Sequence, residues 1–240
     1  MTSESFSARR RAWLLTLAAS GALGVAGLTG LIRRAHALAR RLYPEGIQEM
    51  KGDVRINNKP AKPGAMVTAG DIVTTGAGGY VVFVIGQDAF MLRERTRLQV
   101  SGERAGATPS GEVKAAVVKA LNVISGKVLF VFGKGEKRIL TPTVTIGVRG
   151  TGVYVEAEPK RSYVCTCYGE TVLEAKGSNV RETIRTTHHE SPRYVYAAGA
   201  PEAIMTAAPV VNHTDDELTM LEALLGRTPP FEGNSPYPRY

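Results

Sequence analysis

The sequence predicts an all-β fold: a wound or sandwich-like β-domain, preceded by an apolar helix and followed by a short helix. Three observations predict it. From Met50 onward, short runs of Val, Ile, Thr, Tyr and Phe alternate with turns bearing Gly or Pro. The run from Val144 to Val155 is β-rich and sets one charged residue, Arg149, among Gly147, Gly150 and Gly152. Beyond residue 41, clear helical periodicity occurs only at residues 215–225.

Taken in order, residues 51–57 read as a strand, turned by Asn58-Lys59-Pro60 and again by Lys62-Pro63-Gly64. Residues 67–75 hold Gly70-Asp71 and lead through a strand to the turn Gly76-Ala77-Gly78-Gly79. Residues 80–85 are nearly all apolar, the pattern of a strand buried on both faces. Gly86-Gln87-Asp88 is a hairpin signal into residues 89–93. Residues 104–111 read as a polar loop. Residues 117–124 fit either a short helix or a strand. Strands follow at residues 127–132 and 138–140, then the Arg149 corner, then strands at 154–157, 162–167, 171–175 and 180–186. Thr214 caps a helix over residues 215–225, Gly226 ends it, and Leu218, Leu221 and Leu225 share one face that Glu222 interrupts. Residues 228–240 are Pro-rich and read as irregular.

At the glycine corner, a lone arginine needs a partner or water, because a buried unpaired charge is costly. Arg149 is therefore expected to pin the corner by bonding nearby carbonyls. Asp71 is expected to form a turn rather than to act as a catalyst.

The chain divides into residues 1–41, a signal peptide or membrane anchor; residues 50–198, the β-domain; and residues 199–240, a helix with a Pro-rich tail. Residues 12–32 are 21 residues without a charge, long enough to cross a bilayer. Three readings stand open: a retained anchor, a signal peptide cleaved after Ala35-His36-Ala37, and a twin-arginine signal around Arg9-Arg10-Arg11. All three make the membrane a partner through residues 12–32. They place the rest of the chain in the periplasm, anchored to the inner membrane or exported by either route. The net charge of +8 does not indicate a nucleic-acid partner. Seven arginines against Glu4 in residues 1–41 supply most of it, and the β-domain is nearly neutral.

Four stretches together resemble the FecR domain of bacterial envelope proteins. They are Lys62-Pro63-Gly64 with residues 70–86 (GDIVTTGAGGYVVFVIG), residues 124–132 (ISGKVLFVF), residues 141–156 (TPTVTIGVRGTGVYVE) and residues 168–175 (YGETVLEA). The resemblance implies an all-β domain outside the cytoplasmic membrane, with Gly70, Asp71, Thr75, Gly76, Arg149, Gly150 and Thr151 as structural motif positions. It also implies an envelope protein as partner. In the regulators that name the family, this domain relays the state of an outer-membrane receptor to a cytoplasmic anti-sigma segment. Eleven residues precede the apolar stretch here, too few for such a segment.

The chemistry-bearing residues are Cys165-Thr166-Cys167 and His188-His189. Cysteines at i and i+2 of a strand face one way. An antiparallel return through residues 171–186 can bring an imidazole to them, making a thiolate–imidazole site suited to zinc or copper. Two alternatives stand beside it: a strained, easily reduced disulfide, and cysteines packed as small apolar side chains with two surface histidines. Both histidines can reach one ion only if the chain turns there, which Pro192 allows, with Glu190 available to orient an imidazole. No Gly-x-Ser-x-Gly elbow or Walker loop occurs. The sequence thus reads as a non-enzymatic domain acting through a protein partner. The alternatives are a metal- or redox-responsive periplasmic protein and, more distantly, an envelope enzyme.

Overall fold

A computed structural model describes residues 45–103, 106–107, 113–114, 116–200 and 203–231. The apolar segment 12–32, most of the loop at 104–111 and the tail beyond Phe231 lie outside these residues. The strands are β1 (Gly46–Lys51), β2 (Val54–Ile56), β3 (Lys59–Pro60), β4 (Ile72–Thr75), β5 (Tyr80–Ile85), β6 (Asp88–Leu92), β7 (Arg97–Glu103), β8 (Gly106–Ala107) and β9 (Val113–Lys114). They continue with β10 (Val117–Val131), β11 (Glu136–Leu140), β12 (Val144–Ala157), β13 (Arg161–Ala175), β14 (Arg181–Thr186), β15 (Arg193–Tyr196) and β16 (Met205–Ala207). One helix, α1 (Asp215–Leu224), follows. The described residues form one compact unit.

Three long strands organise the sheet, and each bends at a glycine. In β10, residues 117–125 pair with β7, whereas residues 126–131 pair with β12, and residues 128–131 also with β6. In β12, residues 145–149 meet β11 and residues 152–157 meet β10. β13 follows β12 along its length, carrying β14 beside residues 169–174 and β15 beside residues 161–164. A strand that changes partners midway folds the sheet onto itself, giving a sandwich-like domain. The bend in β10 requires glycine. Gly126 has φ +94°, and a Cβ there would lie 2.4 Å from Thr96 Cα.

These bends explain the differences from the sequence reading. Residues 117–124 are strand, continuous with 127–131. Residues 162–167 and 171–175 are two halves of β13. Glycine inside each apolar pattern reads as a turn in sequence but makes a bulge in structure.

The corner around Arg149 is such a bulge, and its pin is not the guanidinium. Arg149 is exposed. Its cross-strand neighbours are Glu136 and Glu170, and Glu170 is already paired with Arg185. The expected fold-holding role of Arg149 is thus corrected: on an outward strand position, water solvates the charge and no buried partner is needed. Thr151, 0% exposed, takes that role. Its hydroxyl lies against the carbonyls of Tyr168 and Gly152, tying the bulge in β12 to the bend in β13. Gly150 (φ +56°) and Gly169 (φ +90°) supply the left-handed backbone. Asp71 is the turn former expected: its carboxylate accepts from Thr68 N–H at 2.8 Å and Asn57 Nδ2 at 2.7 Å. Thr75 is buried and accepts from Thr96 N–H at 3.0 Å. Gly70 takes φ +97°, and Gly76 N–H donates to the Asp53 carbonyl at 2.8 Å.

Strand alternation divides the core in two. Val81, Phe83, Phe90, Leu92, Val128, Phe130, Val153 and Val155 face the interior between the folded halves of the sheet. Their neighbours Val82, Val84, Ala89, Met91, Leu129, Val131 and Tyr154 face the other way. That second face is covered by Leu218, Leu221 and Leu225 of the helical segment and by Phe231. Burial of β5 on both faces follows. Each fully buried leucine contributes about 1.5–3 kcal/mol. Thr214 and Glu217 form a capping box at the start of α1. Glu222, which breaks the apolar stripe, is buried against Tyr168 Oη and Arg227.

Candidate metal centre

On β13 the alternation puts Tyr163, Cys165 and Cys167 on the face toward α1. Both cysteines are free thiols and 0% exposed. β14 returns antiparallel, and the chain beyond it runs back beside the cysteines: His189 N–H donates to the Cys167 carbonyl at 2.9 Å. His189 adopts φ +52°, which provides the turn that adjacent histidines need to reach one side. The ring nitrogens Nε2 of His188 and His189 lie 2.8 and 3.1 Å from the same Asp215 oxygen.

A fourth residue joins from the segment before α1. His213 stacks on Tyr154 with ring centroids 4.5 Å apart, and its Nδ1 donates to the Val211 carbonyl at 2.7 Å. The segment is held by Tyr163, whose hydroxyl donates to the Pro209 carbonyl at 2.9 Å and accepts from Val211 N–H at 3.3 Å.

One donor atom each from Cys165, Cys167, His189 and His213 then lies within 4.8 Å of every other, and all four residues are buried. Cys165 Sγ is 3.4 Å from His189 Nδ1, and His189 Nδ1 is 3.0 Å from His213 Nε2. In a tetrahedral zinc site, ligand atoms lie roughly 3.3–3.8 Å apart, given zinc–nitrogen and zinc–sulfur bonds of about 2.0 and 2.3 Å. To hold zinc, the two imidazole nitrogens move slightly apart and the widest pair of donors closes by up to about 1 Å.

The tautomers sharpen this. A carboxylate and a carbonyl only accept, so His189 Nε2 and His213 Nδ1 must carry protons. In the neutral rings the facing atoms, His189 Nδ1 and His213 Nε2, therefore both present lone pairs. Two lone pairs at 3.0 Å need a proton or a cation between them. The Asp215–His189 contact is the carboxylate–histidine arrangement that orients imidazole ligands.

The charges point the same way. Burial pushes the Cys165 thiol up, but hydrogen bonds from Cys167, His189 and His213 outweigh it and hold the group well below the ordinary thiol range. Burial, with the neighbouring Cys165, drives Cys167 well above it. Burial works against a charged His189, yet Cys165 and Asp215 raise it. Asp215 is held low by His188 and His189 despite its burial. These directions favour a deprotonated Cys165 beside a protonated His189, a charge arrangement that a divalent cation can replace.

The structure brings together Cys165, Cys167 and His189 and sets His188 one step out, on Asp215. The Glu190 carboxylate closes the local turn by accepting from Thr187 N–H at 3.1 Å. The histidines are buried rather than on the surface. His213 and Asp215 escaped the sequence reading because they lie 24 and more residues beyond the His pair. The available signal was position: both flank the cap of a helix whose leucines must dock on the domain.

Cys165, His189 and Asp215 also trace the order of a cysteine-nucleophile triad. Burial argues against that use. Cys165 has no exposed surface, and the neighbouring 780 Å³ cavity is lined by His188 but not by either cysteine.

No protein-family model matches the chain, and no curated protein matches its sequence. Solved structures described as a "putative anti-sigma factor" from Parabacteroides distasonis, at 1.65 and 2.50 Å resolution, are similar in backbone. Each shows 10% identity and a TM-score of 0.43 over 57% of this chain and 58% of that one. So distant a likeness transfers no function, and the metal centre stands on its own geometry.

Proposed function

We propose that this chain is a non-enzymatic, metal-binding β-domain of the bacterial envelope. Cys165, Cys167, His189 and His213 hold one zinc ion, with copper(I) as the competing soft cation. The observation that carries this reading is the convergence of two imidazole nitrogens, 3.0 Å apart, with two buried thiols. Four protein ligands close the coordination sphere, which favours holding or sensing a metal over catalysis. The ion would also tie the segment bearing His213 to β13 and thereby fasten α1 over the second apolar face.

The uncharged residues 12–32 support an extracytoplasmic site for the domain, either tethered or released. Free thiols seldom persist there, and a bound cation protects them from oxidation. The FecR-like motifs support an envelope protein as partner, contacted by the domain surface. Metal analysis of the purified chain tests the central claim. One equivalent of zinc per chain is expected, and its absence after Cys165→Ala/Cys167→Ala. No metal in either protein, with unaltered stability of the double variant, would contradict it.

A further inference from the structure

The four donors are sealed: Cys165 and Cys167 are 0% exposed, His189 6% and His213 7%. An ion therefore needs a route through the protein. A 780 Å³ cavity is lined by His188, the residue next to His189 in the chain. Gly133, Gly150 and Gly169 of the glycine bulge are among its lining residues. Its walls include Tyr168, Phe231 and His188. Its charged groups are Lys134, Glu190, Glu222 and Arg227. Glu222 is paired with Arg227, while Glu190 is exposed at residue positions bordering His188.

His188 stands between this cavity and the centre. Its Nε2 is 2.8 Å from Asp215 Oδ1, which is 3.1 Å from His189 Nε2. His188, His189 and Asp215 thus make a second group of metal-binding atoms. His189 belongs to both groups, Nε2 to the outer and Nδ1 to the inner. Orienting His189 requires Asp215 alone; His188 adds a second imidazole on the cavity side.

We propose that His188 and Asp215 form a second, weaker divalent-metal site, a port through which the ion passes between the cavity and the buried centre. This rests on the metal-binding function proposed above. Nitrogen and carboxylate donors suit zinc but bind it less tightly than two thiolates with two imidazoles. A port lowers the barrier in both directions and leaves the equilibrium of the inner site unchanged.

Stopped-flow transfer of zinc between the full chain and a chromophoric chelator tests the port. In His188→Gln, where the amide can still donate to Asp215, uptake and release should both slow by roughly tenfold, a barrier change of about 1.4 kcal/mol. The Kd of the inner site should not move. Lys134→Trp, which keeps every donor and narrows the cavity, should slow both directions as well, and it carries the test if His188→Gln fails to fold. Rates unchanged in the variants, or a weaker Kd in His188→Gln without slower exchange, would overturn the port while leaving the centre intact. No zinc uptake by the wild-type chain would instead overturn the centre itself.

Discussion

His213 Nε2 faces His189 Nδ1 at 3.0 Å although 24 residues separate them. Each ring spends its other nitrogen on an outward acceptor, Val211 O or Asp215 Oδ1. The fold has aimed two ring nitrogens at one point beside two sulfurs. His213→Ala removes one of the four donors and should weaken zinc binding by more than about a hundredfold, beyond the loss typical of outer partners. Competition against a chromophoric chelator measures this.

Asp215 orients His189 and also begins α1. Asp215→Asn should lower zinc affinity about 10–100-fold. Asp216, in the same helical turn but exposed, serves as the control. Asp216→Asn should leave affinity unchanged, which separates imidazole orientation from the helix dipole. Calorimetric titration of the two variants decides the matter.

The ion should stabilise the fold by mass action. At free zinc one hundred times Kd the gain is about 2.7 kcal/mol. For a domain of this size that raises Tm by roughly 5–10 °C. Thermal unfolding with zinc and with excess chelator tests it; equal Tm values would argue against metal binding to the folded state.

The glycine corner yields opposite expectations for adjacent positions. Thr151→Val leaves the buried Tyr168 carbonyl without its hydroxyl donor and should cost about 1–3 kcal/mol. Arg149→Ala removes an exposed charge and should change stability by less than about 0.5 kcal/mol. Urea unfolding of both variants separates a hydroxyl pin from a guanidinium pin.

The contrast shows what sequence can convey here. The continuous apolar run of residues 80–85 and the alternation along 163–167 are local, so the doubly buried strand and the shared face of Cys165 and Cys167 were legible. The Asp71 turn and the capped helix were legible for the same reason. The long strands were not, because Gly126 and Gly169 punctuate their patterns like turns while the backbone merely bends. The pin of the corner was misassigned because charge draws attention to Arg149, whereas exposure decides its role. The metal set was half legible. Antiparallel return predicts a histidine near the cysteines, but which of two adjacent residues arrives depends on a positive φ at His189. His213 comes from a segment whose docking no local pattern encodes.

X-ray absorption at the zinc edge of the metal-loaded chain tests the central claim most directly. Cys165, Cys167, His189 and His213 predict two sulfurs at about 2.3 Å and two nitrogens at about 2.0–2.1 Å. A shell of oxygen and nitrogen without sulfur, or no zinc retained after gel filtration, would contradict it.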